Sequence, residues 1–350
     1  MKETKQQIKV ITRVLYIYLS SLIIFTAVNV YLFLNYNTNS KHQIVKGIQI
    51  TDATNDAWHL KSLNEIPEDN IGGSIKYGYE LITNTPRLIG PKASDSILRY
   101  AGNNLSCTNC HLDAGRKVGA GSFVGISNRF PQFRGRENKI GTLEDRINGC
   151  LERSMNGKMI STDSKEMQAM IAYMDWLSED VPDEVANKYK GYVNIVLPTM
   201  AADPIKGKVY YKAKCSICHQ ENGQGIPNVD GVPGYLYPPL AGNDSFNDGA
   251  GMHRVITSAQ FIKANMPLGA SYDAPQVSDE EAYHIAAFIN SLPRPQKENK
   301  AVDFPDKKLK PVSTPYGPWS DTFSPTQHKF GPFQPIIAFY EKEYQLIKTK

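Results

Sequence analysis

Residues 107–111 read CTNCH, and residues 215–219 read CSICH. In each, two thiols stand three positions apart with an imidazole directly after them, so a single helical turn presents two sulfurs and one nitrogen. A c-type heme requires that set: two thiols to bond its vinyl groups and an imidazole to bind its iron. A zinc cage would draw two such pairs into one unit, yet 104 residues separate Cys110 from Cys215. A dithiol redox pair needs no histidine after it, and a disulfide reading leaves the repeated histidine unexplained. We read Cys107 and Cys110 as the attachment site of one covalently bound heme c and Cys215 and Cys218 as that of a second. His111 and His219 are then the proximal ligands.

Working outward, the chain shows the same plan twice. IKYGYELI (residues 75–82) has helical apolar spacing and precedes CTNCH, and STDSKEMQAMIAYMDWLSE closes the unit, with Asp163 and Glu166 at capping-box spacing. DPIKGKVYYKAK (residues 203–214) runs into CSICH, and SDEEAYHIAAFINSLP closes the second unit, with Ser278 and Glu281 as its box and Pro293 as its stop. The Gly- and Pro-rich run NGQGIPNVDGVPGYLYPPLAGND between CSICH and the closing helix predicts turns and loop, which suit the wrapping of a flat group. VNIVLPTMAA (residues 193–202) is the expected linker. The fold class is mainly α, with domain 1 over residues 71–195 and domain 2 over 196–295. Residues 296–350 form an extended tail whose aromatic content argues that it packs on the domains.

Residues 14–34, VLYIYLSSLIIFTAVNVYLFL, carry no charge and would reach about 31 Å as a helix, the thickness of a bilayer core. Lys2, Lys5, Lys9 and Arg13 precede them against Glu3 alone, so residues 1–13 are expected in the cytoplasm and the body outside it. A cleaved signal peptide is the alternative, but no A-x-A-like site follows. The expectation is an uncleaved transmembrane helix, a tether over residues 35–70, and a body on the periplasmic side of the inner membrane. The net charge of +4 and the lack of a basic run argue against nucleic acid as a partner.

Each heme iron has one further axial position. For the second, Met266 in KANMPLGA lies 47 residues after His219 on a loop ahead of Pro267, with Met252 and His253 as rivals. For the first, Met155, Met159, Met167, Met170 and Met174 compete with the unpaired thiol of Cys150 in RINGCLERSMNG (residues 146–157). Between Gly115 and Lys158 nine basic residues, six of them Arg, face four acidic ones, an excess of five positive charges. Guanidinium forks suit oxyanions, and positive charge favours thiolate at Cys150. His42, His59, His284 and His328 have no partner pattern and read as surface or packing residues.

Taken together, CTNCHLDAGRKVGAG, NRFPQFRGRENKIGTLEDRINGCLERSMNG, CSICH, NMPLGA and PYGPWSDTFSPTQHKFGPFQP resemble the diheme thiosulfate dehydrogenases, which form tetrathionate and in some members run as tetrathionate reductases. The resemblance covers about residues 70–335 and implies two class-I cytochrome c-like domains in tandem. It further implies His111/Cys150 ligation of the catalytic heme, His219/Met266 ligation of the electron-transfer heme, and an anion pocket of Arg136, Arg146 and Ser154 beside Cys150. Thiosulfate and tetrathionate are the implied substrates, and a periplasmic cytochrome or other redox protein the implied partner. Some members carry a lysine just before the methionine, where Asn265 stands here, so a lysine–methionine ligand exchange is not expected. The competing readings are a membrane-anchored diheme electron carrier without substrate chemistry, and a sulfur-oxidation cytochrome that loads thiosulfate onto a carrier protein's cysteine.

Overall fold

The computed structural model describes residues 13, 15, 16, 18–31 and 58–349. The chain divides into two units, Met1–Ala57 and Trp58–Lys350. In the first, residues 18–31 are helical and exposed. The rest of the expected cytoplasmic stretch, positions 14, 17 and 32–34 of the expected span, most of the tether and His42 lie outside the described residues. Among the described residues no helix is long and apolar enough to cross a membrane.

In the second unit α1 (Asn70–Thr83) starts at Asp69, whose carboxylate accepts the Gly72 N–H at 2.8 Å. Its apolar positions Ile75, Leu81 and Ile82 fall on one face with Gly78 and are buried. A short antiparallel hairpin, β1 (Gln132–Arg134) with β2 (Lys139–Gly141), leads into α2 (Leu143–Arg153), whose capping box is Thr142 and Asp145. α3 (Lys165–Trp176) closes the unit against α1. Its N-cap is Ser164, accepting the Met167 N–H at 3.2 Å, not the expected Asp163. Glu166 is drawn inward instead, where the Tyr77 hydroxyl donates to it at 3.0 Å.

The plan then repeats. α4 (Pro204–Lys214), capped by Asp203, runs into a short helical turn Ser216–His219. A two-stranded ribbon, β3 (Ile226–Pro227) with β4 (Tyr235–Tyr237), lies within the Gly/Pro-rich loop. α5 (Val255–Asn265) and α6 (Asp279–Ser291) follow, and α6 has the expected box: Glu281 N–H to Ser278 Oγ at 3.1 Å and Ser278 N–H to Glu281 Oε2 at 2.8 Å. α6 packs on both α4 and α5 and is buried on every face over residues 282–290, as a central helix should be.

One packing device recurs in both halves. A Cβ on Gly78 would stand 1.9 Å from the Ala169 carbonyl oxygen, and a Cβ on Gly207 1.9 Å from that of His284. In each half the helix before the Cys pair therefore crosses the closing helix backbone to backbone, at a point only glycine can occupy.

The tail is built into the body. Val312, Phe333, Ile336 and Tyr340 join the second core, the last three from or beside α7 (Gln334–Tyr344). Lys310 is 1% exposed and gives its ammonium to the carbonyls of Tyr316 and Pro318 among the rings of Phe304, Tyr316 and Trp319. His328 is buried between the Val312 carbonyl and Asp321, and His284 accepts the Asp203 N–H, so both serve packing; His59 is exposed beside Glu65. The first core also receives Phe246 and Ala250, which belong in sequence to the second half.

Candidate active site

A cavity of about 540 Å³ opens beside CTNCH, within the roughly 300–1,000 Å³ usual for cofactor and ligand pockets. Ile82, Leu105, Phe123, Ile126 and Phe130 supply apolar wall, and the thiols of Cys107 and Cys110 and the ring of His111 face in. His111 is oriented by its own loop: Nδ1 donates to the Gly121 carbonyl at 2.6 Å, which leaves Nε2 as the ring nitrogen that faces Cys150. His219 repeats the device, with Nδ1 donating to the Pro238 carbonyl at 2.8 Å. None of the five cysteines is in a disulfide, and Cys107 packs on the first core while Cys215 packs on the second.

Cys150 projects from α2 into the cavity beside His111, near enough for the thiol and the imidazole to act as hydrogen-bond partners. Arg146, one helical turn earlier, donates from Nη1 to Cys150 Sγ at 2.8 Å. Burial pushes this thiol up, but Arg146 and His111 beside it win and bring it down to about 6. Burial prevails at the paired thiols, raising Cys107 to about 11 against a hydrogen bond from the Thr85 hydroxyl, and Cys110 to about 12. Cys150 is therefore the thiolate of the three, the better nucleophile and the better soft ligand.

The basic residues sort by their partners. Arg116 pairs with Asp113, Arg134 is held bidentately by Glu137, and Lys139 reaches Asp145 at the surface. Arg153 turns to Asp303 at 2.7 Å. Arg129, Arg136 and Arg146 face the cavity, and Arg129 Nη1 is buried with no hydrogen-bond partner among the described residues. Ser154 caps the C-terminus of α2 at the cavity wall, its carbonyl accepting from Asn103 Nδ2 at 2.9 Å.

Two contributors escaped the sequence reading. Arg254, at the N-terminal end of α5, reaches the same cavity from the second half; burial and the nearby Arg136 and Arg146 lower it to about 10. Tyr192, just before the linker, is the other, its hydroxyl beside Gly121 and burial holding its phenol protonated. No local motif marks either residue. Met155, Met167, Met170 and Met174 are buried in the first core, where Met155, Met170 and Met174 also line the cavity, and Met159 is exposed. Met252 lines the first cavity, whereas Met266 ends α5, its N–H on the Ile262 carbonyl, and packs against the second core with Cys215.

Two thiols, an oriented imidazole, apolar walls and an unpartnered guanidinium fit a flat apolar ring system that bears carboxylates. The SoxA/TsdA cytochrome c domain model matches residues 99–182, and the cytochrome c model matches residues 205–293. The thiosulfate dehydrogenase of Psychrobacter arcticus is 39% identical over 258 residues, 73% of this chain and 75% of that protein. The chain belongs to the thiosulfate dehydrogenase family. That of Thiomonas intermedia is 40% identical over 231 residues, 66% of this chain and 69% of its own. Among solved structures, the thiosulfate dehydrogenase (TsdBA) of Marichromatium purpuratum in its "as isolated" form superposes with a TM-score of 0.62 at 33% identity. That alignment takes in 69% of this chain, which spans half the length of the solved one. As a family member the protein is a mainly helical pair of cytochrome c domains with two covalently bound heme c groups.

Proposed function

We propose that this protein interconverts thiosulfate and tetrathionate at Cys150, in the cavity walled by Arg136, Arg146, Arg254 and Ser154. The observation that carries the reading is the Arg146–Cys150 contact at 2.8 Å beside His111, which makes a lone thiol a thiolate inside a cationic pocket. Cys107, Cys110, His111 and Cys150 would hold the first heme, and Cys215, Cys218, His219 and Met266 the second. The two hemes supply one-electron acceptors, together enough for the electron pair released when two thiosulfates join.

The protein's own residues do the rest. Arg136 and Arg146 bind the sulfonate end of thiosulfate through charge-assisted hydrogen bonds and leave its terminal sulfur facing Cys150 Sγ. Formation of the Cys150–sulfur bond releases two electrons and gives a cysteine S-thiosulfonate. The terminal sulfur of a second thiosulfate attacks the sulfur bonded to Cys150 Sγ, the bond to Cys150 breaks, tetrathionate leaves and the thiolate is restored. Run backwards, the same steps consume two electrons and split tetrathionate. The uncharged run over residues 14–34 anchors the body to the inner membrane, and a periplasmic redox protein exchanges electrons with the second domain.

The test is turnover of the holoprotein with thiosulfate and a one-electron oxidant, and with tetrathionate and a reductant. Wild type should turn over, and Cys150→Gly should lose roughly a thousandfold or more while retaining both hemes. Turnover kept in Cys150→Gly would end this mechanism; a wild type that only shuttles electrons would favour the carrier reading.

A further inference from the structure

The cavity's key arginine is held from an unexpected place. Arg136 lies in the first domain, 167 positions before Asp303 of the tail, yet its Nη1 donates to Asp303 Oδ2 at 2.5 Å. The same nitrogen donates to the Tyr316 hydroxyl at 3.1 Å and to the Gly249 carbonyl at 3.3 Å. The Tyr316 hydroxyl in turn donates to Asp303 Oδ2 at 2.7 Å. The ring of Phe304 lies 5.0 Å from the guanidinium, and the Phe304 N–H donates to the Arg136 carbonyl at 2.7 Å. Phe304 takes φ 57°, a left-handed conformation that a bulky residue adopts only when its surroundings impose it. Every one of these side-chain hydrogen bonds uses Nη1, which leaves Nε and Nη2 for the cavity.

Asp303 does a second job with its other oxygen, accepting from Arg153 Nη2 at 2.7 Å, and Arg153 lies on α2 one turn after Cys150. A carboxylate with 4% side-chain exposure thus joins the hairpin arginine to the Cys150 helix. A free arginine side chain has much rotamer freedom to lose on binding an anion, and a clamp removes that cost beforehand.

We infer that Asp303 is a positioning residue that aims the free edge of Arg136 at the substrate's sulfonate, with Tyr316 and Phe304 completing the clamp, so that the tail is a working part of the site. The inference rests on the reading of the cavity as a thiosulfate site.

Aim and charge predict opposite signs. If Asp303 only balanced charge, its neutralisation would leave the pocket more cationic and lower the KM for thiosulfate. If it aims Arg136, Asp303→Asn should raise that KM roughly ten- to a hundredfold, the worth of a charge-assisted hydrogen bond, with kcat little changed. In an Arg136→Gln background the same substitution should add almost nothing, because the two residues act as one unit. Tyr316→Phe is the milder variant should Asp303→Asn fail to load its hemes, and it should raise KM severalfold. A KM that is unchanged or lower in Asp303→Asn or Tyr316→Phe, or an effect that simply adds to that of Arg136→Gln, would overturn the clamp while wild-type turnover still upheld the function. A wild type inactive on thiosulfate and tetrathionate would instead remove the function and the clamp with it.

Discussion

At the scale of single residues, environment decides which sulfur does what. Three cysteine sulfurs face one cavity, and only Cys150 has a guanidinium one turn away on its own helix, which favours its thiolate. That spacing was legible in the sequence, because positions i and i−4 of any helix are neighbours. Arg153 is the counterexample: closer still in sequence to Cys150, it turns to Asp303 instead. Met266 stands apart from the buried methionines, which fill the first core, and a thioether on iron raises a heme's reduction potential. Met266→Ala should therefore lower the potential of the second heme and leave the first where it was, as read by spectroelectrochemical titration. An unchanged potential and spectrum would remove Met266 from the ligand set.

At the scale of elements, the helices before the Cys pairs and the closing helices were predictable from apolar spacing and from the Ser278–Glu281 box. The N-cap of α3 slipped by one position because Ser164 competes with Asp163 for the same N–H groups, and Tyr77 draws Glu166 away. Hidden from the sequence was the helix crossing at Gly78 and Gly207, since a lone glycine in a helical pattern does not reveal which backbone it meets. Gly78→Ala must push α1 off α3 and should cost roughly 1–3 kcal/mol by overpacking, seen as a lowered thermal midpoint of the holoprotein, with Gly207→Ala costing a similar amount at α4 and α6. Variants as stable as wild type would mean that the crossings carry no packing constraint.

At the scale of the whole molecule, the active cavity belongs to neither repeat alone. The first half brings Cys150, Arg136 and Arg146, the second half brings Arg254, Met252 and Phe246, and the tail brings Phe304 and, behind Arg136, Asp303. Motif reading finds the two heme units because their chemistry is written within five residues. It misses the closure because the contacts join positions more than a hundred residues apart, where no periodicity or spacing survives. Asn103 shows the coupling: its Nδ2 donates to the carbonyls of Ser154 and of Ser245, so the end of the Cys150 helix is fastened to the second domain. All of this converges on the sulfur of residue 150. The most direct measurement is low-temperature electron paramagnetic resonance of the oxidised holoprotein beside Cys150→Gly. A low-spin signal of thiolate-ligated iron is expected in the wild type and should be missing from the variant. The same spectrum from both proteins, with no thiolate component, would contradict it.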